Sequence, residues 1–331
     1  MSRPLVSVVM PAYNAAPFIE SAVQSVLSQT LGDIELLVVD DGSTDHTATR
    51  LAGVSDPRLR ILRLTHQGVM VALNAGLAEA RGEFFARMDA DDLALPERLE
   101  RQVRLLEEGG LDVTGSRVEI FRDKGPLGNG YHAYETWVNG LLDHDTIVRN
   151  IFIEDPIPSP TLMMRQETLR KLGGYDSGVY PDDYNLTLKS FCAGLRFGKC
   201  PETLLRWRDH DARLSRNAPE LKNQRFFDLK SRYFTRAVPL VGRQIVIWGI
   251  GRNGKALFKA LQKAGVEAAG FTAEARFIRE KTLYERPVRR FQEWEGAFFL
   301  LATAAKKGRE EAQAALHSAD MTTPADFLPF C

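Results

Sequence analysis

Three short, largely apolar runs, each followed at once by a polar cluster, constrain this chain most. Residues 5–10 lead into Pro11-Ala12-Tyr13-Asn14, residues 34–39 into Asp40-Asp41-Gly42-Ser43, and residues 83–88 into Asp89-Ala90-Asp91-Asp92. Short apolar runs without alternation read as strands buried on both faces, as in a parallel sheet. Between them, residues 17–30 place Phe18, Ala22, Val23, Val26 and Leu27 on one helical face. Residues 44–51 and 69–80 read as further helices, the second stopping at Gly82, and residues 59–64 as another strand. Residues 96–108 form a helix that opens on Pro96 and ends at Gly109-Gly110. Strands alternating with helices make an α/β sheet, and ligands of such sheets bind beyond the carboxyl ends of the strands. The three polar clusters therefore converge on one crevice.

The 331 residues suit two domains. A formal net charge of +0 offers no global field to recruit nucleic acid, and no run reaches the roughly 18 apolar residues of a membrane span. Membrane contact is expected to be peripheral at most, and the N-terminus carries no signal-peptide pattern. Cys192, Cys200 and Cys331 show neither a disulfide nor a zinc spacing, so a reducing cytoplasm is expected. Residues 124–155, with Gly125, Gly128 and Gly130, read as an irregular lid or acceptor loop. The first domain is expected to span residues 1–237, with Pro239 at the junction. A small Rossmann-like unit over 238–331 follows. In it, strand 245–248 runs into Gly249-x-Gly251-x-x-Gly254 and a helix, with later strands at 266–271 and 297–302. The acidic residue that would hold a ribose is missing at the next strand end, where Thr272 stands. This unit is expected to be structural, oligomerising (a homo-oligomer contact) or regulatory.

Three carboxylates within Asp89–Asp92 repel one another, and a fold must answer that repulsion. A helix N-terminus could do so through Asp92. A divalent cation with oxygen ligands, Mg²⁺ or Mn²⁺, would do so while bridging a diphosphate.

The segments Val6–Asn14, Val38–Asp45 and Ala86–Asp92 resemble, in order and spacing, the three hallmark motifs of family 2 glycosyltransferases, over roughly residues 4–216. The resemblance implies a GT-A fold of a mostly parallel sheet flanked by helices. It also implies a nucleotide-diphosphate sugar donor, with UDP the usual nucleotide, and inversion at the anomeric carbon. The donor side would be Pro11, Tyr13, Asn14, Asp40, Asp41, Gly68, Asn74, Arg87, Asp89 and Ala90. Tyr13 would stack on the base and Asp41 accept from it. Leu73 stands where the family often carries an arginine. Asp91, with Asp89 and His210, would hold Mn²⁺ or Mg²⁺, and Asp92 would lie behind them or on the acceptor side. Arg87 would pair with the cluster or with phosphate.

Pro181-Asp182-Asp183-Tyr184 resembles the family's acidic pair before a helix. It implies Asp183 as general base and Asp182 as its orienting partner or an acceptor contact; plain helix capping is the alternative for both. Arg206–His210 with Ser215 resembles the family's terminal segment, with Arg208 as a phosphate contact and Trp207 in the core or on an acceptor sugar. The acceptor would be a glycan or a lipid-linked glycan of surface polysaccharide or lipopolysaccharide assembly. Two other classes compete: a catalytically silent sugar-nucleotide-binding module, and a nicotinamide-dependent oxidoreductase centred on Gly249–Gly254.

Overall fold

A computed structural model of the chain describes residues 3–179, 181–213, 223–238, 240, 242–279, 281–303 and 306–331. Two compact units divide it: Met1–Ile147 with Pro156–Ala218, and Val148–Asp155 with Pro219–Cys331.

The first unit is built on strands β1 (Val6–Ala12), β2 (Ile34–Asp40), β3 (Leu59–Arg63), β4 (Phe84–Arg87), β5 (Leu93–Ala94), β6 (Val113–Phe121), β7 (Met163–Arg165) and β8 (Phe197–Arg208). They form one mixed sheet in the order β3-β2-β1-β4-β7-β6-β8-β5. β3, β2, β1 and β4 are parallel, as are β6 and β8. β7 runs antiparallel to both its neighbours, and β5 antiparallel to β8. Helices α1 (Ile19–Leu27), α2 (Thr47–Ala52), α3 (Val69–Glu79), α4 (Arg98–Glu108), α5 (Asn129–Gly140), α6 (His144–Asn150), α7 (Gln166–Lys171) and α8 (Asp182–Cys192) complete the order.

Both faces of β1 and β2 are covered, which explains their largely apolar runs; the buried exceptions, Ser7 and Glu35, bond each other at 2.6 Å. Val6, Val8, Met10, Leu36 and Val38 pack with Val23, Val26, Leu99 and Val103 of α1 and α4. The opposite face receives α3: a Cβ on Gly76 would stand 2.3 Å from Val9 Cγ1 and 3.2 Å from Val39 Cγ2.

Three expectations change here. Residues 124–155 are largely helical, because Tyr131, Tyr134, Trp137 and Val138 recur at helical spacing and pack on the main core; the clustered glycines hid that period. Strands β6 and β8, unread in the sequence, carry the sheet beyond β7. The boundary expected at 237/238 falls one helix late: α9 (Asn223–Ala237) belongs to the second unit, where Lys263 pairs with Asp228 at 2.6 Å and Gln224 donates to the Ala256 carbonyl. Pro239 and Ser215 lie outside the described residues.

The second unit holds a parallel sheet, β10-β9-β13-β14, from β9 (Ile245–Trp248), β10 (Ala268–Thr272), β13 (Phe298–Leu301) and β14 (Phe327–Pro329). Helices α10 (Arg252–Lys263) and α11 (Lys306–His317) join β9 to β10 and β13 to β14; β11 (Thr282–Leu283) and β12 (Arg286–Pro287) make a separate hairpin.

Val9 is fully buried and β-branched, so its rotamer cannot readily yield to a methyl on α3. Gly76→Ala should therefore lower the urea midpoint, by about 2 kcal/mol of stability. A raised midpoint, as helix propensity alone would give, would contradict the packing.

Candidate active site

Two loops at the carboxyl ends of β1 and β2 are sewn together by their own polar side chains. Asn14 adopts a left-handed backbone (φ 51°), and its Oδ1 accepts the Thr44 amide at 2.8 Å, while its own amide donates to Ser43 Oγ at 2.9 Å. Asp40 Oδ1 accepts the Ser43 amide at 2.9 Å. Asp41 is buried, and its two oxygens accept the Gln67 amide at 3.0 Å and the Gly68 amide at 2.8 Å. Gly42 is required: at φ 75°, a Cβ there would meet the His66 amide nitrogen at 2.7 Å. The same loop brings His66 against Tyr13, their rings stacked at 3.9 Å and 18°. Tyr13 remains 46% exposed, so its ring is available as a shelf beside Pro11.

The acidic loop after β4 rests on a buried cation. Arg98, wholly inside, donates to the Arg87 carbonyl at 2.6 Å and to Gln102 Oε1 at 3.0 Å, and Gln102 in turn donates to the Thr161 carbonyl at 2.7 Å. Burial lowers its proton affinity to a pKa of about 10, against the pull of Asp89 and Asp92, so it stays charged at neutral pH.

Each of the three carboxylates is handled separately. Asp89 Oδ1 accepts from Arg87 Nε at 3.0 Å. Asp91 Oδ2 lies 2.9 Å from His210 Nε2. Asp92 is 1% exposed, and its Oδ1 accepts the Arg208 amide at 2.7 Å. Burial, then the charges of Asp91 and Asp89, holds the Asp92 proton well above the usual carboxylate range. Asp92 ties the loop to β8 through that amide. It does not cap α4, whose N-terminal flank is Glu97.

Arg87 reaches the second acidic segment. It is buried, and its Nη1 stands 3.6 Å from Asp182 Oδ2. Burial alone would weaken its hold on the proton, but Asp89, and after it Asp182, raise that hold well above the ordinary value. Asp182 and Asp183 open α8 behind Pro181, and Asp183 Oδ1 accepts the Tyr184 amide at 2.8 Å. Burial and the adjacent Asp183 push the Asp182 pKa up to about 6, against the pull of Arg87. The approach to α8 is fixed by Asn74, whose amide nitrogen donates to the Tyr175 carbonyl at 2.8 Å and whose Oδ1 accepts the Tyr175 amide at 2.9 Å.

The structure thus assembles Arg87, Asp89, Asp182 and Asp183 around one guanidinium, and Asp91 with His210. Ala90 is buried within the loop. Gly68 (φ 99°) starts α3, with its amide on Asp41. Asn74 is committed to the Tyr175 backbone, so it positions that loop rather than reaching the crevice. Arg208, expected on phosphate, donates instead to the Asp91 carbonyl at 2.7 Å, pairs with Asp123, and lies between the Phe18 and Phe121 rings. Trp207 packs on the core beside Tyr134, under Arg213. Arg98 went unread, although it sits with Leu99, Gln102, Val103 and Leu106 on the buried face of α4. Among the described residues no group of three or more His, Cys, Asp or Glu side chains gathers as a metal cage. No described helix is long and apolar enough to cross a membrane.

Comparison with known proteins defines the class. The model of glycosyl transferase family 2 matches residues 7–173, just over half of the chain, and the chain belongs to that family. An uncharacterised glycosyltransferase of Haemophilus influenzae is 33% identical over 74% of this chain and 77% of its own length. The O-antigen biosynthesis glycosyltransferase WbnJ of Escherichia coli is 26% identical, over 65% of this chain and 83% of its own. The structure of S. aureus TarS 1-349 in complex with UDP-GlcNAc superimposes with a TM-score of 0.57 at 18% identity, covering 78% of this chain and 71% of that one. The first unit has the GT-A fold, and the protein is a glycosyltransferase.

Two measurements probe the buried charges. Arg98→Ala should cost about 3 kcal/mol, since it leaves the Arg87 carbonyl and Gln102 without their partner; a variant as stable as wild type in urea would contradict this. Asp182 keeps its proton to about pH 6 when folded but loses it nearer its ordinary 3.8 when unfolded. Its contribution to stability therefore falls as the pH rises from 4 to 6 and is constant above. The melting temperature of Asp182→Asn should accordingly gain on wild type across pH 4 to 6; parallel curves would contradict the raised pKa.

Proposed function

We propose that the chain transfers a sugar from a UDP-sugar to a hydroxyl of a glycan or lipid-linked acceptor, with inversion, and that Asp183 takes the acceptor proton. The observation that carries this reading is the Arg87 bridge. It holds the donor-side Asp89 and the Asp182–Asp183 pair on one buried guanidinium, and so brings two carboxylate segments distant in sequence to one place.

Uracil stacks on Tyr13, beside the loop that Asp41 anchors. Asp91 and His210 fit Mn²⁺ or Mg²⁺ as a carboxylate oxygen and an imidazole nitrogen 2.9 Å apart, a small protein set to which diphosphate oxygens and water would be added. The ion, when bound, would neutralise charge on the departing diphosphate. Asp183 removes the hydroxyl proton as the acceptor oxygen forms its bond to the anomeric carbon, and the electrons of the breaking carbon–oxygen bond leave with UDP. Asp182, paired with Arg87, keeps α8 in register with the acidic loop. The O-antigen role in the name of WbnJ supports an acceptor from surface polysaccharide assembly.

A panel of nucleotide sugars tests the donor side: UDP-sugars with Mn²⁺ should raise the melting temperature of wild type, and Asp91→Ala should abolish the metal-dependent part of that shift. Asp183→Asn should keep the shift and lose about a thousandfold in transfer. Near wild-type transfer by Asp183→Asn would remove it as the base.

A further inference from the structure

The second unit contains a carboxyl strand edge that the proposed transfer does not use. Its sheet changes winding direction between β9 and β13: α10 leads from β9 to one edge, and α11 leads from β13 to the other. The two helices cover opposite faces. Phe258 of α10 packs on Phe271, whereas Ala312 and Leu316 of α11 pack with Val246, Trp248, Phe299 and Leu301. In such sheets the carboxyl ends of the strands part at this point and leave a crevice.

The Gly249–Gly254 turn forms one wall, and its glycines have separate reasons. Gly249 has φ 136°, and a Cβ there would meet the Ala302 carbonyl oxygen at 2.7 Å. A Cβ on Gly254 would stand 1.8 Å from the Gly249 carbonyl oxygen. Gly251 is different: nothing lies within 4 Å of its Cβ position, and its φ of −82° suits any residue. It faces open space immediately before α10, where helix amides lack intrahelical acceptors and attract anions. Arg252 next to it is exposed, and no acidic residue occupies the first turn.

The floor supplies an independent observation. Thr272, the last residue of β10, is 0% exposed, and its hydroxyl has no hydrogen-bond partner among the described residues. Thr303, just beyond β13, likewise buries an unpartnered hydroxyl. Thr272 shares a face with Gly270, whose Cβ position meets Trp294. Both hydroxyls stand at or just beyond the carboxyl ends of the two strands that flank β9 and its turn. A buried hydroxyl left unmade costs about 1–3 kcal/mol, and two at one strand edge mark a place where hydrogen bonds are completed by something else. With β9 between their strands, two spacings of about 4.8 Å separate them, roughly 10 Å, more than one phosphate spans. Cys331 lies beside the first turn of α10, its Sγ accepting from Asn253 Nδ2 at 3.2 Å.

We propose that this crevice binds a nucleoside diphosphate, its phosphates against Gly251 and the α10 N-terminus, with the Thr272 and Thr303 hydroxyls completing their hydrogen bonds on it. Recognition rests on the diphosphate rather than on a ribose diol. The strand end that would carry a ribose-binding acid is Thr272, and Glu274 beyond it is held by Arg276 at 2.6 Å. The unit would then be a nucleotide-responsive module appended to the transferase.

Calorimetric titration of the full chain in EDTA tests this, with ADP, UDP and inorganic diphosphate as probes. Both nucleotides should bind without metal. Gly251→Asp places a carboxylate in open space at a helix start, so it should leave the melting temperature at or above wild type while weakening ADP at least tenfold. Thr272→Val, which preserves shape, should weaken ADP severalfold without loss of stability. The proposal is overturned if neither nucleotide binds at millimolar concentration, if only inorganic diphosphate binds, or if Gly251→Asp binds ADP as wild type does.

Discussion

The first unit depends on a buried guanidinium that has carboxylates on two sides. Arg87 ends β4, donates to Asp89 on the loop that follows, and stands 3.6 Å from Asp182 at the start of α8. Its own carbonyl is held by Arg98 from α4. The two cations are buried beside the acidic loop, and polar or anionic neighbours offset their burial. Such an arrangement contributes little net stability but is expensive to break, at about 3–5 kcal/mol when one partner is removed. It therefore fixes geometry: the loop and the helix cannot move apart without stranding a charge.

The same economy applies to the clustered aspartates. Asp92 is buried, its hold on a proton strengthened by burial, and anchors β8; Asp89 faces Arg87, and Asp91 faces His210. Each of the three carboxylates thus has a different partner: a buried backbone amide, a guanidinium and an imidazole. That division of labour cannot be read from the spacing of the residues, since all three have the same side chain.

What the sequence made legible was local. β1, β2 and β4 declare themselves because both faces are buried, and their polar ends mark the crevice. The pairing of Asn14 with the Ser43–Asp45 loop and of Asp41 with Gln67 and Gly68 follows from that placement. Other features depend on contacts far along the chain. β8 is interrupted by Glu202 and alternates irregularly, so it gave no strand signal, yet it delivers Arg208 and His210. α5 was obscured by neighbouring glycines. Arg98 reads as a surface residue until Arg87 is seen above it. Asn74, a candidate donor contact, bonds the Tyr175 backbone, and Arg208, a candidate phosphate contact, bonds the Asp91 carbonyl and the Asp123 carboxylate; neither link is visible in the sequence. The acidic pair at 182–183 is legible through family resemblance; its link to Arg87 appears only in three dimensions.

The proposed inversion, with Asp183 as base, requires the acceptor to attack from the face away from the diphosphate. The most direct test is the anomeric configuration of the new linkage, read by the proton coupling constant of the product made from an α-linked UDP-sugar. A β-linked product is predicted. An α-linked product would contradict the assignment of Asp183 as a base acting across the sugar from the leaving group.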